Sequence, residues 1–422
     1  MPRLLEGTLA MNSTLVDIAQ RFGTPCYVYF MEDITARCEA LRQVFAQRFK
    51  ISYAVKANPN VGLLQRMRAH IDALDISSAG EMQRALRAGW PPQRLSFTGP
   101  GKRTQELVAA VTQGIGHIVV ESVHEARTVS QIACAYGTQQ DILVRLAPRR
   151  IPRGFGLNMA GKPSQFGIDE EDLDGAFAAL KTLPSLRIRG CHIYSGTQCL
   201  DANALVEHFE ICCELFRQCA TRHALTPHVL VFGSGFGIPY YPGQKAFDLD
   251  HLAARVHPVL DVLLQDDRFR HTVCMLETGR YLVGEAGIFV TRIIRIKVSR
   301  GTRIAICDGG MHHHLAACGH LGTVFRRNYR IFKVNASVDT GDTATYDLVG
   351  PLCTTIDTLG HAVELPTLDE GDLIGLHCSG AYGLTASPMH FISHPPPREI
   401  VVESARGQPS VEEISQFTAG VG

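Results

Sequence analysis

The sequence predicts an α/β fold: a (β/α)8 barrel followed by an antiparallel β domain. Three observations carry that reading. Eight short apolar runs recur between residues 51 and 276, most of them separated by amphipathic stretches; this alternation builds parallel strands with helices outside. The positions that end those runs are polar, charged or glycine, and barrel enzymes place their chemistry at strand C-terminal ends. After Gly287 the helical periodicity fades and alternating, β-branched runs take over, the texture of an antiparallel sheet.

An opening YVYF (27–30) precedes the eight runs. They are ISYAV (51–55), IDALDI (71–76), RLSFT (94–98), HIVV (117–120), DILVRLA (141–147), IRGCHI (188–193), HVLVF (228–232) and VCML (273–276). GLLQRMRAH (62–70), GEMQRALRAG (80–89) and TQELVAAVTQ (104–113) read as intervening helices. The barrel is expected over 27–280. The β domain is expected over 281–422, from IFVTRIIRIKV (288–298), TRIAIC (302–307), YRIFKVNA (329–336) and DLIGLH (372–377), with residues 1–26 joining it. SVEEISQFTAG (410–420) reads as a short capped helix.

At 422 residues and 45% hydrophobic, the chain can bury the cores of two domains. Basic and acidic residues balance at 41 each, which favours neither a nucleic acid nor a membrane surface as partner. The 13 cysteines are scattered without a CxxC pair, as expected of free thiols in a reducing cytoplasm. Pro2, Arg3, Glu6 and Asp17 interrupt any secretory pattern, and no apolar stretch is long enough to span a membrane.

The run ends deliver Lys56, Ser77 and Ser78, Thr98, Glu121, Arg145, Tyr194, a glycine turn at Gly233–Gly237, and Glu277. Lys56, in YAVKANPN, is either a lysine that snorkels to solvent or a desolvated one. Desolvation lowers a lysine pKa, as imine formation needs. GSGFGIPYYPG (233–243) allows backbone N–H groups to close around a phosphate. It lacks the GxGxxG spacing and the Walker lysine of nucleotide sites. In ETGRYLVGEAG (277–287), Glu277 and Arg280 form either a surface ion pair or a site in which Arg280 binds a phosphate or carboxylate. GPLCTTID (350–357) sets Cys353 and Asp357 between turns; the thiol is either a proton donor or a small buried hydrophobe. In DGGMHHHLAA (308–317), His312 and His314 would share a face of a strand. No acidic or cysteine partner stands at ligand spacing, so no metal is expected.

The order of these motifs carries more than any one of them. YAVKAN, HIYSGTQ, GSGFGIPY, ETGR, GPLC with its following Asp357, and GAYG together resemble the fold-type III pyridoxal-phosphate-dependent decarboxylases. The resemblance runs over roughly residues 20–395. It is stronger to the diaminopimelate decarboxylase-like branch than to the ornithine decarboxylases. It implies pyridoxal 5'-phosphate as cofactor and a homodimer with shared active sites. By the same resemblance, Lys56 is the Schiff-base lysine, and Asp75 and Glu81 fall at the second strand end. Gly233, Ser234, Gly235, Phe236 and Gly237, helped by Thr197, hold the cofactor phosphate. Glu277 faces the pyridine nitrogen, and Arg280 lies at the phosphate or the substrate carboxylate. Cys353 reaches in from the partner subunit as proton donor, with Thr354 and Asp357 near the substrate, and Tyr382 lies at the cofactor.

The sequence departs from the family pattern twice. Where the family stacks a histidine on the pyridine ring, an ungapped match gives Tyr194, with His192 two positions earlier; either ring can stack. Where an acid usually follows the catalytic cysteine and binds a distal ammonium group, this chain has Thr354. A buried ammonium without a carboxylate costs several kcal/mol, so the distal end is expected to be modified. With DGGMHHHL and SQFG (164–167), this resembles the sub-branch acting on carrier-bound or siderophore-precursor amino acids. The alternatives are meso-diaminopimelate decarboxylation, a fold-type III racemase, a non-catalytic carrier of the cofactor, and a glycosidase or lysine aldolase barrel.

Overall fold

The computed structural model describes residues 9–319, 327–335, 342–405 and 408–417. Eight parallel strands close a barrel: β1 Phe49–Ala54, β2 Ala73–Ile76, β3 Leu95–Phe97, β4 His117–Val120, β5 Gln140–Ala147, β6 Leu186–Ile193, β7 Val229–Gly233 and β8 Val273–Thr278. Each pairs with the next, and β8 returns to β1 through Leu276 opposite Ile51 and Glu277 opposite Ser52. The eight strands are those read from the sequence, with ends moved by a few residues.

Helices lie outside because each buries one apolar stripe. Their starts are written locally. The Ser78 hydroxyl accepts the Glu81 N–H at 3.1 Å, and the Asn60 side-chain amide oxygen accepts the Gly62 N–H at 2.8 Å; such caps satisfy N–H groups that a first turn leaves open. The strand ends therefore arrive at fixed positions on one rim.

The second domain is a nine-stranded, mostly antiparallel sheet. Its long strand Gly287–Ser299 carries a bulge between Ile293 and Arg295. Two pairings are parallel: Thr302–Cys307 with Thr343–Val349, and Cys26–Phe30 with Arg398–Ala405. The second of these moves a boundary. Cys26–Phe30 was read as opening the barrel, but Tyr27 and Val28 lie opposite Phe289 and Ile288 of the β sheet. The helix Leu9–Phe22 joins it there, packing Leu15, Ile18 and Ala19 on Val28, Ile288, Val290 and Ile400.

The sequence expectation fails at two other places. SVEEI was read as helical, but Gln408–Glu413 is a strand pairing antiparallel with Arg398–Ala405; residues 418–420 of that reading lie outside the described residues. His312 and His314 do not share a strand face. The His313 and His314 N–H groups both donate to the Gly310 carbonyl, at 2.9 and 3.0 Å, and fold the segment into a turn.

Candidate active site

Lys56 leaves β1 in a single turn, Val55–Ala57, that the β domain grips from above. The Tyr382 N–H donates to the Ala57 carbonyl at 2.8 Å, and the Asn58 amide donates to the Gly380 carbonyl at 3.1 Å. The GAYG and YAVKAN motifs are thus the two sides of one seam. Tyr382 holds a φ of +53°, unusual for a bulky side chain. The seam bond and the Arg280 guanidinium, 4.7 Å over its ring, hold it there.

A cavity of about 740 Å³ opens beside Lys56. Thr197, Tyr240, Tyr241, Arg280, Tyr329 and Tyr382 are among its walls. The lysine side chain is 37% exposed, open to this space although it lies deep in the barrel mouth. Its ammonium stands 3.8 Å from Asp75 and 5.5 Å from the Tyr194 ring centre.

Three charges share this floor. Burial pulls the Lys56 pKa down, but Asp75 and Glu277 outweigh it and hold the lysine above its ordinary value. This overturns the expectation of a depressed lysine: burial was legible in the sequence, its two counter-charges were not. Burial and the Glu277 charge push Asp75 well up, against the pull of Lys56 and a short bond from the Thr98 hydroxyl. Burial also pushes Glu277 up, but His192, Lys56 and Arg145 outweigh it and hold Glu277 below the usual range. His192 Nε2 lies 2.9 Å from the Glu277 carboxylate. Two carboxylates in one buried site divide their roles this way: Glu277 keeps its charge and Asp75 takes a proton more readily.

The Gly233–Gly237 turn lies at the end of β7. A Cβ on Gly233 would meet Tyr194 at 2.3 Å, and one on Gly235, whose φ is +66°, would meet Phe155 at 2.3 Å. A Cβ on Gly237 would meet the Cys199 carbonyl at 2.8 Å. Glycine is therefore required at all three positions. Backbone bonds lace the turn to the segment after β6: Cys199 N–H to Gly235 O at 3.0 Å and Gly237 N–H to Cys199 O at 2.9 Å. Thr197 sits on the same lace and faces the cavity.

These residues fit a phosphorylated, aldehyde-bearing pyridine. A primary amine and an arginine face one cavity; Glu277 acts on that amine electrostatically, and the glycine turn is tied by backbone bonds to the segment that carries Thr197 into the cavity wall. Three buried polar atoms here, Asp75 Oδ2, His192 Nδ1 and Arg280 Nε, have no hydrogen-bond partner among the described residues.

Other expected residues lie apart. Cys353 is exposed and does not line the Lys56 cavity; Thr354 is half-buried beside it. Asp357 was read as a substrate contact. Its carboxylate instead accepts the Met311 N–H at 2.6 Å and the Leu352 N–H at 2.9 Å, tying the Cys353 loop to the histidine turn. His314 bonds Ser379, and His313 bonds the Pro395 carbonyl. Among the described residues no cluster of His, Cys, Asp or Glu could hold a metal ion.

Sequence reading assigned no role to Tyr240, Tyr241 and Tyr329, although the first two stand in the quoted glycine-turn motif. It also assigned none to the Glu121–Arg145 pair. Arg145 Nη1 lies 3.0 Å from both Glu121 oxygens, which also accept the Gly99 and Gly167 N–H groups. Both side chains are buried. Glu121→Ala leaves Arg145 uncompensated and is expected to cost about 3–5 kcal/mol of stability, read as a lowered urea midpoint; an unchanged midpoint would contradict this.

Residues 31–284 match the family described as pyridoxal-dependent decarboxylase, pyridoxal binding domain. The chain belongs to this family. A pyridoxal-dependent decarboxylase with this barrel and β domain uses pyridoxal phosphate to remove the carboxylate of an amino acid. Among its curated relatives is the L-glutamyl-[BtrI acyl-carrier protein] decarboxylase of Niallia circulans, 35% identical over 92% of this chain and 91% of that one. Another is the 2-[(L-alanin-3-ylcarbamoyl)methyl]-2-hydroxybutanedioate decarboxylase of Staphylococcus aureus, 28% identical over 90% of this chain and 94% of that one. The crystal structure of Helicobacter pylori diaminopimelate decarboxylase with L-lysine superposes at a TM-score of 0.83, with 26% identity and 96% of each chain covered. No helix among the described residues is long and apolar enough to cross a membrane.

Proposed function

We propose that this decarboxylase acts on an amino acid whose distal end is acylated, as an amide or a carrier-bound thioester, rather than on a free diamine. The observation that carries this is Thr354 after Cys353, where an ammonium group would need an acid. The cavity beside Lys56 offers no substitute. Its one acidic wall residue among those described, Asp201, caps the helix Ala202–Arg222 through two backbone N–H groups. The relatives from Niallia circulans and Staphylococcus aureus bear names of substrates modified in this manner.

Pyridoxal phosphate supplies the electron sink that lets the bond to CO2 break. Lys56, whose amine opens on the cavity, would hold it. Glu277, braced by His192, would favour a protonated ring nitrogen, and Tyr194, whose ring centre lies 5.5 Å from the Lys56 ammonium, would pack beside the ring. The Gly233–Gly237 turn, Thr197 and Arg280 hold its phosphate. Cys353 or Lys56 returns a proton to the α-carbon after CO2 has left. We further propose a cytoplasmic homodimer in which Cys353 serves the partner subunit's cavity; 13 scattered cysteines without a CxxC pair fit a reducing compartment.

The test is CO2 release from the cofactor-loaded enzyme. A side-chain-acylated 2,3-diaminopropionate or a γ-glutamyl thioester should be turned over at least about tenfold faster than meso-diaminopimelate, since a poorly paired buried ammonium costs more than that factor. Rapid release from meso-diaminopimelate would sink the reading of Thr354 and return the enzyme to the diaminopimelate decarboxylases.

A further inference from the structure

The glycine turn is steered from behind. His208, on the helix Ala202–Arg222, is fully buried, and its Nε2 lies 2.8 Å from the Gly233 carbonyl. A carbonyl only accepts, so Nε2 carries the proton. Nδ1 is then the lone-pair nitrogen; the Cys212 sulfur, one helical turn on, packs on the ring 3.8 Å from Nδ1 and 3.7 Å from Nε2 and does not distinguish them. Burial pulls His208 down to about 4 despite the bond to Gly233. The ring is therefore neutral at working pH, and its tautomer is set.

The consequence lies in the next peptide plane. In a trans peptide the C=O and the following N–H point in opposite directions. Here His208 holds the Gly233 carbonyl, and the Ser234 N–H donates to the Glu277 carbonyl at 2.9 Å. One peptide is clamped from the outer helix and from β8 at once. Its orientation sets the direction in which Ser234, Gly235 and Phe236 leave the strand. Phe155 stands edge-on to the His208 ring at 5.5 Å and fills the space against Gly235. The same ring thus braces the turn and its lining.

We propose that His208 is a positioning residue for the phosphate-binding turn, acting through the Gly233–Ser234 peptide without touching the ligand. This rests on the reading of Gly233–Gly237 as the phosphate site.

The test measures equilibrium binding of pyridoxal phosphate and of pyridoxal, which lacks the phosphate, to the apo-enzyme. Wild type should prefer pyridoxal phosphate strongly. His208→Leu leaves a buried carbonyl without its donor and should weaken pyridoxal phosphate about five- to thirtyfold, with pyridoxal changed less than about twofold. His208→Gln, whose amide reaches where Nε2 stood, should restore binding. His208→Asn, whose amide falls short at the Nδ1 position, should not; the Gln and Asn pair decides the matter even if the leucine variant does not fold. Equal weakening of both ligands, unchanged binding, or Gln failing like Asn would overturn the proposal. Equal affinity of wild type for both ligands would instead overturn the reading of the turn as a phosphate site.

Discussion

Lys56→Ala should lower CO2 release by at least about a thousandfold, roughly 4 kcal/mol of barrier. It should also remove the visible chromophore that borohydride bleaches in the loaded wild type. The size follows from the surroundings as much as from the lost amine. Lys56 is the cation 3.8 Å from Asp75, and the charges of both Asp75 and Glu277 act on it. Without it, the two buried carboxylates face each other with less compensation, and Asp75 should take up a proton more readily still. A variant that kept turnover within tenfold of wild type would remove Lys56 from the chemistry.

The second large effect is a gain. If Cys353 rather than Lys56 donates the proton, Cys353→Ala alone should be nearly inactive, as should Lys56→Ala. If Cys353 serves the partner subunit's cavity, mixing the two after subunit exchange should recover activity. Half of the randomly re-paired dimers are hybrids, and each hybrid has one site with both residues intact. The mixture should therefore reach about a quarter of wild-type activity, the limit set by twofold symmetry. No recovery after demonstrated exchange would place Cys353 in its own chain's chemistry or outside it. Its exposure and its absence from the Lys56 cavity wall motivate the experiment.

The barrel was legible because parallel strands buried on both faces write short continuous apolar runs. The strand ends were legible: Lys56 follows β1, the Gly233–Gly237 turn ends β7 and Glu277 lies at the end of β8, and Lys56 and Arg280 face one cavity. What depends on pairing across the fold was not legible. Cys26–Phe30 has the local pattern of a barrel strand, and only Phe289 and Ile400 opposite it decide the sheet. SVEEI carries helix-start spacing, yet Val411 pairs with Val402. The raised Lys56 pKa comes from Asp75 and Glu277, which lie 19 and 221 positions away in sequence. Asp357 looked like a substrate ligand because nothing in its neighbourhood reveals Met311 as its partner.

The register of Cys26–Phe30 also sets an order of events during synthesis. This strand is among the first described segments to be made, but its neighbours in the sheet are Gly287–Ser299 and Arg398–Ala405. Every barrel strand is complete before either neighbour emerges. Until then, a buried-type edge of five residues has open N–H and C=O groups and could be captured by another chain. The pairing of Cys26–Phe30 thus waits on the β domain and not on the barrel.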